Sequence, residues 1–548
     1  MKKVLFLAVS LVVAGAITPC VAADSAPDKG IRGQASTPWD EPLANAELSG
    51  LYVRSIEEVL HQQPEQIDVG IAALIVSEAW SDMVSGRRYQ QQLDDMAREI
   101  RSRLKPSQRG PAAISVINSY LFDELKFGTI DKADDPYDLF LHSVMDRRRG
   151  YCLSLSILYL AIGERLGLPL YGVVVPGHFF VRYDDGKVRF NIETTSGGSN
   201  PPDSFYIEKF NIPKNENSNY MNNLNKLQTL GCFFNNLANA YRDVGNVDQA
   251  MAGLQCAIYI NPSLSESRIN LGNIYLQKGR VDEAINEYQA AIKINPNDSR
   301  VHHNLGNAYQ ERKRFDDAAA EYLWSTRLDP NFVDAYRNLA IAYRNLNRLS
   351  EAEATLIQAT AIAPQNAFVY LDLADVYSQS DNCDEAIARY QQALGIKPDL
   401  AEAYLGLGIC YSKLEQADRE IGAYVKALSI NPNMYAALVN LGNAYFAKEK
   451  YDGAIEQYNK AVRVSPDDAR LHYRIGVAYT NKGDFGQAVK AQMKAIDINS
   501  QMAEAHYAAA YDYYKLTNYN LALEHIKTAE QLGATIDPNF LKAIENKN

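Results

Sequence analysis

The sequence is poor in tryptophan and cysteine, has no surplus of positive charge, and contains no long apolar run after its first residues. Its 548 residues include 3 tryptophans and 6 cysteines, and the net charge is −11. An acidic balance disfavours binding to nucleic acid or anionic membranes, because their phosphate groups repel it. After Ile17 no apolar run approaches the roughly 20 residues that a transmembrane helix needs. We therefore expect no nucleic-acid partner and no transmembrane segment.

The sequence also lacks the residue spacings that bind metals. It contains no HExxH motif and no pair of CxxC motifs. The histidines other than His178 show no ligand spacing either. Structural and catalytic zinc sites depend on such spacings, because three or four ligands must converge on one ion. We expect neither a metal nor another cofactor.

The first 23 residues have the features of a secretory signal peptide. Two lysines precede an apolar run from Val4 to Ile17, and small residues at the end of the segment suit cleavage near Ala23. A membrane anchor is the weaker alternative, because the run is short and is interrupted by Gly15 and Pro19. Cleavage removes two lysines and no acidic residue, so the net charge of −11 becomes −13. We expect a periplasmic or secreted protein.

Five cysteines remain after this cleavage, an odd number for a compartment in which disulfides form. Cys152 is the natural candidate for a free thiol. The spacing of the other four cysteines allows two disulfides, Cys232 with Cys256 and Cys383 with Cys410. Four buried thiols in apolar surroundings are the favoured alternative, because unpaired cysteine is among the most buried residue types.

The chain is too long for one hydrophobic core, and its periodicity changes along its length. Residues 24–45 are rich in Ala, Pro, Gly and Ser, which predicts a flexible leader. Residues 46–196 are predicted to form an α+β domain: helical periodicity continues to Leu166 and is followed by two strands with period 2, at 172–183 and 187–195. Asp184-Asp185-Gly186 predicts the hairpin turn between these strands. Residues 197–230 are predicted to be a linker with a leading helix near 220–229.

From Gly231 the sequence repeats every 34 residues without an insertion. Nine such repeats, numbered 1 to 9 below, cover residues 231–536, and a polar tail follows at 537–548. Small residues recur at places 8, 20 and 27 of a repeat, and seven of the nine repeats have proline at place 32. This spacing resembles that of the tetratricopeptide repeat, in which small residues let paired helices approach closely. The resemblance implies an all-α solenoid.

Residues 147–195 contain a cysteine, a histidine and a carboxylate in a setting that supports catalysis. Cys152 begins a predicted helix directly after three arginines, where unpaired N–H groups and positive charge stabilise a thiolate. A two-residue turn at Asp185-Gly186 would place His178 directly opposite Glu193, with Cβ atoms about 5 Å apart on one face. A nucleophilic thiol needs a base, and the base needs a group that orients it. Cys152, His178 and Glu193 suit these three roles.

Residues 67–195 resemble the transglutaminase-like superfamily, a papain-like fold in which a cysteine opens a helix and a histidine and an acidic residue follow on adjacent strands. The resemblance is to the bacterial branch in which this domain precedes tetratricopeptide repeats. It implies Cys152 as nucleophile, His178 as general base and acid, and Glu193 as the orienting carboxylate. The backbone N–H of Cys152 is the default oxyanion donor, and the sequence identifies no second one. The motifs that carry the resemblance are IDVGIAALIVSEAW, LFDELKF, DRRRGYCLSLSILYLAIGERLGLPL, GVVVPGHFFVRY and FNIETT.

Asparagines recur at places 6 and 9 of the repeats, which we expect to face the concave groove. They resemble the asparagine ladder of repeat arrays that hold an extended peptide by its backbone. The alternative is that a Leu-Gly-Asn consensus serves repeat geometry alone. The residues concerned are Asn236, Asn239, Asn270, Asn273, Asn304, Asn307, Asn338, Asn440 and Asn443.

Two hypotheses about function follow from these patterns. The first is a thiol acyl-transfer enzyme that acts on peptide or amide substrates, with hydrolysis favoured over cross-linking and with protein partners or substrate bound on the repeats. The second is a non-catalytic scaffold that binds protein partners on the repeats and retains the enzyme-like domain for recognition. The reactivity of Cys152 relative to the cysteines of the repeats distinguishes them.

Overall fold

The computed structural model describes residues 55–80, 83–105, 110–130, 135–210, 212 and 220–547. The predicted signal peptide (1–23), the predicted leader (24–45) and the first residues of the predicted α+β domain lie outside the described residues. The chain forms two compact units, Met1–Arg312 and Lys313–Asn548.

The first unit begins with helices that pack around one buried helix, α6. Every residue of α6 from Cys152 to Gly163 is buried, and α2, α3 and α5 contact it. A helix that is mostly apolar on all sides belongs in a core, which explains the run after Cys152, where only Ser154 and Ser156 interrupt the apolar residues before Gly163. The helices are α1 (Ile56–Leu60), α2 (Val69–Trp80), α3 (Gly86–Arg103), α4 (Ala113–Asn118), which continues into a π-helical turn (Ser119–Glu124), α5 (Leu141–Arg147) and α6 (Cys152–Arg165).

A three-stranded antiparallel sheet packs against α6. Its strands are β3 (Leu170–Val175), β4 (His178–Asp184) and β5 (Arg189–Ile192), and two short parallel strands, β1 (Gly128–Thr129) and β2 (Arg149–Gly150), precede them. The prediction of one strand over 172–183 is therefore wrong. Val175 pairs with His178, and Gly177 between them has φ of 70°. Pro176-Gly177 thus forms a tight turn, since glycine adopts a positive φ without strain.

The turn between β4 and β5 also differs from the predicted one. Asp184 pairs with Arg189, so the loop has four residues and the register is shifted by two from the predicted pairing of His178 with Glu193. The carboxylate of Asp185 selects this loop by accepting the N–H groups of Lys187 at 2.9 Å and Val188 at 2.7 Å. Because side chains alternate along a strand, a shift of two leaves His178 and Glu193 on one face.

The segment predicted as a linker contributes to the core of the first unit. It contains helix α7 (Asp203–Lys209), whose Tyr206 packs with Val173, Val175 and Phe180 of the sheet. Fully buried Arg182 of β4 holds this segment in place: its guanidinium donates to the Asp203 carboxylate at 2.8 Å and to the Met221 carbonyl at 2.6 Å. A buried guanidinium needs such partners because its charge is otherwise costly.

The first helices of the repeat array also belong to the first unit. The predicted leading helix and the first helix of repeat 1 form one element that begins at Lys226, whose ammonium group contacts the Ile67 carbonyl at 2.7 Å and Glu164 at 3.0 Å. These contacts fix the start of the array against the α+β domain. The helices are α8 (Lys226–Asp243), α9 (Val247–Ile260), α10 (Ser265–Gln277), α11 (Val281–Ile294) and α12 (Ser299–Glu311).

The second unit consists of helices that continue the repeats. Glycine at place 8 is needed where the helices of a repeat meet, because a Cβ on Gly442 would lie 2.4 Å from the ring of Tyr458. The helices are α13 (Phe315–Leu328), α14 (Val333–Asn345), α15 (Leu349–Ile362), α16 (Ala367–Gln379), α17 (Cys383–Ile396), α18 (Ala401–Lys413), α19 (Ala417–Ile430), α20 (Tyr435–Ala447), α21 (Tyr451–Val464), α22 (Ala469–Lys482), α23 (Phe485–Ile498), α24 (Ala503–Lys515), α25 (Tyr519–Gln531) and α26 (Pro538–Glu545).

Helix α26 corrects the prediction of a polar tail at 537–548. Its Ile544 is fully buried and packs with Ile526 of α25, while Phe540 and Leu541 contact the same cluster. The helix therefore covers the apolar face of the last repeat, as terminal elements of repeat arrays do. Within the described ranges, no helix is both long and apolar enough to cross a membrane.

Candidate functional site

Cys152 is the first residue of α6, and its neighbours shape the start of that helix. The hydroxyl of Ser154 accepts the N–H of Tyr151 at 2.9 Å, which closes the first turn. Gly150 is required beside it, because an added Cβ would lie 2.8 Å from the Ser154 hydroxyl. The thiol thus sits among the unpaired N–H groups of a helix N-terminus, which favour negative charge on sulfur. Only 5% of Cys152 is exposed.

The structure brings His178 and Glu193 together with Cys152. The Nε2 atom of His178 lies 2.8 Å from Oε2 of Glu193, although the two residues are diagonal rather than directly opposed in the sheet. The imidazole also interacts with the thiol of Cys152, and the two side chains line the same cavity. Cys152, His178 and Glu193 therefore form one chain of interacting groups, in which His178 and Glu193 are joined by a hydrogen bond.

This chain determines the charge of the imidazole. Burial opposes protonation of His178, but its hydrogen bonds with Cys152 and Glu193 outweigh burial and raise its pKa to about 9. Burial likewise opposes ionisation of Glu193, yet His178 and Thr195 hold the pKa of this carboxyl below its ordinary value. At neutral pH the site thus holds an imidazolium between the Cys152 sulfur and the Glu193 carboxylate.

Three residues that support this chain were missed by the sequence analysis. The Tyr206 hydroxyl donates to Oε2 of Glu193 at 3.0 Å, and Thr195 donates its N–H and hydroxyl to Oε1 at 3.2 and 2.5 Å. The ring of Phe210 stacks on His178 with 5.3 Å between ring centroids. Tyr206 and Phe210 lie in the segment predicted as a linker, where their four-residue spacing is the signal that indicates a helix.

Tyr151 was also missed, and it contacts the sulfur directly. Its side chain interacts with the Cys152 thiol. Burial, followed by the adjacent sulfur, raises the pKa of Tyr151, so the hydroxyl keeps its proton and remains a donor at neutral pH. A donor beside a nucleophilic thiol suits the site where an oxyanion forms, so Tyr151 is a candidate for the second donor that the sequence did not identify.

The basic run before Cys152 does not have the effect expected from the sequence. Arg147, Arg148 and Arg149 are exposed, and the guanidinium of Arg147 pairs with Asp138 at 2.8 Å. None of the three lines the cavity next to Cys152. The positive charge beside the thiol comes instead from His178.

Cys152 and His178 line a cavity of about 370 Å³, and its opposite wall is built from the repeats. Asn235, Asn236 and Asn239 of α8 contribute to that wall, as does Asn270 of α10. All of these residues belong to the first unit. Two of the predicted catalytic residues, Cys152 and His178, thus share one cavity with the first residues of the predicted peptide groove.

Farther along the array, the predicted groove asparagines bond to neighbouring side chains. The amide oxygen of Asn273 accepts the Tyr288 hydroxyl at 2.7 Å and the Asn304 amide at 3.0 Å. The second unit repeats this pattern: Asn443 accepts the Tyr458 hydroxyl at 2.8 Å and is also bonded to Arg474. In these two repeats the polar side chain at place 9 thus accepts hydrogen bonds from the residue at place 24 of its own repeat and from the residue at place 6 of the next repeat.

The remaining predicted groove residues differ from one another. The amide of Asn236 donates to the Cys232 carbonyl of its own helix at 2.9 Å, and that of Asn270 donates to Asn235 at 3.2 Å. Asn440 interacts with Tyr424. Asn307 and Asn338 each have an interaction as well. The amide oxygen of Asn239, in contrast, is buried and has no hydrogen-bond partner among the described residues.

The five cysteines in the described ranges are free thiols. Burial raises the pKa of Cys232 to about 12 and that of Cys256 to about 11. The Cys410 thiol lies 3.5 Å from the Ser378 hydroxyl and also contacts Cys383, and burial raises its pKa to about 11. Thiols that resist ionisation react slowly. Across the described ranges, no group of three His, Cys, Asp or Glu residues has a metal-binding arrangement.

Family models match both parts of the chain. The model of the transglutaminase-like superfamily matches residues 87–220. Models of the tetratricopeptide repeat match residues 272–313, 306–346, 332–399, 371–435, 442–483 and 469–502. The fold class predicted from the sequence, an α+β papain-like domain followed by an all-α repeat solenoid, is confirmed.

Known proteins match shorter segments. A UPF0162 protein of Xylella fastidiosa is 34% identical over 118 residues, which are 21% of this chain and 42% of that protein. F-box only protein 21 of Homo sapiens is 39% identical over 74 residues, 13% of this chain and 12% of that protein. The chain thus spans less than half the length of these relatives.

Solved structures match the repeats. The crystal structure of MamA protein is 22% identical, has a TM-score of 0.30, and covers 32% of this chain and 100% of its own. The structure titled "YrrB: a TPR protein with an unusual peptide-binding site" is 24% identical, has a TM-score of 0.31, and covers 35% of this chain and 98% of its own. From the family models, the chain carries a transglutaminase-like domain followed by an array of tetratricopeptide repeats.

Proposed function

We propose that this protein is a cysteine acyl-transfer enzyme that acts on peptide or amide bonds. The observation that supports the proposal is the grouping of Cys152, His178 and Glu193: His178 and Glu193 are hydrogen bonded at 2.8 Å, and Cys152 and His178 line one cavity. A thiol, an imidazole and a carboxylate in this order are the parts that covalent catalysis by cysteine requires. The helix N-terminus adds stabilisation for negative charge on sulfur.

The reaction follows from these positions. The Cys152 thiolate attacks the carbonyl carbon of the substrate, and a tetrahedral oxyanion forms. The His178 imidazolium gives its proton to the leaving amine as the carbon–nitrogen bond breaks, which leaves a thioester on Cys152. Water then attacks the thioester while His178 accepts its proton, and the carboxylic acid and the free thiolate result. Glu193 stabilises the charge and orientation of His178 in both steps.

The oxyanion has two donors within the site. One is the backbone N–H of Cys152 at the helix start, and the other is the Tyr151 hydroxyl, which already contacts the sulfur. Removal of one such donor from an acyl-transfer enzyme lowers kcat by about 10²- to 10³-fold. We favour hydrolysis over cross-linking, because hydrolysis needs only water as the acceptor of the acyl group.

The repeats are proposed to bind protein partners or an extended peptide substrate on their concave face. Peptide recognition by helical repeats depends on side chains that reach a bound backbone, and amides serve both as donors and as acceptors. We further propose that the protein works in the periplasm or outside the cell, since residues 1–23 have the pattern of a signal peptide.

Labelling with iodoacetamide tests the catalytic proposal. We expect Cys152 to react faster than Cys232, Cys256, Cys383 and Cys410, with peptide mapping by mass spectrometry as the measurement. The His178→Ala variant should lose this advantage while the four repeat cysteines react as before. If Cys152 in the wild type reacts no faster than the repeat cysteines, the protein is a non-catalytic scaffold and the enzyme proposal fails.

A further inference from the structure

The first repeat contains an unusual combination of residues at places 9 and 24. Place 9 is polar in repeats 1, 2, 3, 5 and 7, and in four of these five repeats place 24 is tyrosine. Repeat 1 is the exception, because it combines Asn239 with Leu254. Repeat 4 also has leucine at place 24, but its place 9 is Ile341, so no polar group is left without a partner there.

The tyrosine at place 24 satisfies the polar group at place 9 in repeats 2, 5 and 7. The Tyr288 hydroxyl donates to Asn273 at 2.7 Å, and the Tyr390 hydroxyl donates to Asp375 at the same distance. In repeat 1 this donor is absent. The second donor is absent as well, because the Asn270 amide at place 6 of repeat 2 bonds to Asn235 instead.

Asn239 therefore retains a buried amide oxygen that no described residue satisfies. Leaving a buried acceptor unpaired is unfavourable, and such groups in native proteins call for an explanation. Asn239 also lines the cavity that contains Cys152 and His178. A bound molecule that carries an N–H group can satisfy this oxygen at the place where the proposed chemistry occurs.

We propose that repeat 1 forms a substrate-binding wall of the active site, in which the Asn239 amide oxygen accepts a backbone N–H of an extended peptide whose carbonyl is attacked by Cys152. This inference rests on the proposed function and assigns its substrate class: a polypeptide segment rather than a small amide. Three further asparagines, Asn235, Asn236 and Asn270, lie on the same wall, but their amides are already bonded within the protein, which leaves the Asn239 oxygen as the acceptor that the proposal uses.

The substitution in repeat 1 is compensated sterically, which explains how the wall folds without its tyrosine. In repeat 2 the Tyr288 ring packs directly on Gly272: a Cβ added to Gly272 would lie 2.6 Å from the nearest ring carbon of Tyr288. Repeat 1 has Ala238 at this place and Leu254 in place of the tyrosine, and both side chains are buried. A larger residue at place 8 thus accompanies a smaller one at place 24, and the helices remain packed.

Two reagents separate substrate binding from thiol reactivity. N-acetyl-Gly-Ala-Gly chloromethyl ketone carries a peptide backbone, whereas 2-chloroacetamide does not. In both, the Cys152 sulfur forms a carbon–sulfur bond as chloride leaves. For the Asn239→Leu variant we expect labelling of Cys152 by the peptide reagent to slow by about 5- to 10-fold, the worth of one hydrogen bond. Labelling by 2-chloroacetamide should remain at the wild-type rate.

The same variant should unfold at a higher temperature than the wild type, because leucine removes an unsatisfied buried oxygen. A second variant, Ala238→Gly with Leu254→Tyr, restores the residues found in repeat 2 and gives the Asn239 oxygen an internal donor. It should also slow the peptide reagent selectively. Asn261→Leu is the matched control. The Asn261 amide oxygen already accepts the Ser263 hydroxyl at 2.7 Å, and the residue is absent from the cavity lining, so the variant should be less stable but label at the wild-type rate with both reagents.

An N-methylated peptide reagent identifies the hydrogen bond itself. Methylation of the peptide N–H that donates to Asn239 should slow the labelling of Cys152 in the wild type. In Asn239→Leu the methylated and unmodified peptide reagents should label Cys152 at the same rate. The inference is overturned if the unmodified peptide reagent labels Asn239→Leu at the wild-type rate. It is also overturned if the substitution slows labelling by 2-chloroacetamide as much as labelling by the peptide reagent. If Cys152 of the wild type fails to react faster than the repeat cysteines with either reagent, the proposed function itself is overturned and the inference with it.

Discussion

At the scale of single residues, the charge of His178 is the property on which the site depends. An isolated histidine is largely neutral at pH 7. Here the contacts with Cys152 and Glu193 outweigh burial and raise the pKa of His178 to about 9. The imidazole is then both a source of positive charge for the thiolate and a proton donor for a leaving amine.

The pH dependence of alkylation tests this charge. The pKa of His178 is about 9 in the folded protein against 6.5 for a free imidazole, so the positive charge is present below pH 9 and is lost as the pH rises through it. A cation beside the sulfur attracts iodoacetate more than neutral iodoacetamide. We expect the ratio of the two alkylation rates at Cys152 to fall near pH 9. A fall near pH 6.5 would contradict the assigned contacts.

Tyr206 offers a test of the groups behind His178. In Tyr206→Phe, Glu193 loses a donor at Oε2 and its pKa should rise, so the charge of His178 is less well stabilised. We expect the alkylation of Cys152 to slow by about tenfold, in line with a charged hydrogen bond of about 1.5 kcal/mol. The ring still stacks on Phe180, so the midpoint of thermal unfolding should change little.

Tyr183→Phe is the control for this variant, because the Tyr183 hydroxyl donates to Asp185 in the hairpin loop at 3.0 Å. Its alkylation rate should equal that of the wild type. If Tyr206→Phe and Tyr183→Phe behave alike, Tyr206 does not act through Glu193.

At the scale of helices and strands, the sequence predicted correctly which long segments are helical and where the hairpin lies. It did not predict the turn geometry or the short helices. The helix that begins at Cys152 and the repeat helices follow from local periodicity. The hairpin register does not, because the side chain of Asp185 competes with the backbone for the turn and selects a longer loop. Helix α7 was missed because its seven residues span only about two turns, so the four-residue spacing of Tyr206 and Phe210 occurs once and is not repeated.

Close packing of the two helices within a repeat gives a test at this scale. In Gly442→Ala the new Cβ would meet the Tyr458 ring at 2.4 Å, and such overpacking costs about 1–3 kcal/mol. Gly422→Ala is the matched control, since a Cβ there meets no atom within 4 Å and should stabilise the helix by about 0.5–1 kcal/mol. Urea-induced unfolding measures both. Equal effects would show that place 8 tolerates a side chain.

At the scale of the whole molecule, the proposed export of the chain leads to a prediction about its mature form. Expressed in bacteria, the protein should lose residues 1–23, and sequencing of its N-terminus should begin at Asp24. The variant Leu7→Arg interrupts the apolar run and should leave the full-length precursor in the cytoplasm. A wild-type protein that keeps Met1 in the cytoplasm would refute export.

The whole molecule also shows why the catalytic site and the peptide groove were predicted as two separate sites. The proposed catalytic residues lie between 152 and 193, and the asparagines that complete the cavity begin at 235. No periodicity links these segments, because each was identified from its own local pattern. Lys226, which contacts Glu164 and the Ile67 carbonyl, holds the start of the array beside the domain and so helps to form the cavity.

The sequence by itself determined the local features: a cysteine at a helix start, a histidine and a glutamate on one face of a hairpin, and a 34-residue period that specifies paired helices. These depend on neighbours in the chain. Only the tertiary structure decided the charge of His178, the contacts of Tyr151 and Tyr206 with the site, and the unpaired oxygen of Asn239. Each depends on burial and on partners distant in sequence, since desolvation and hydrogen bonding act through space rather than along the chain.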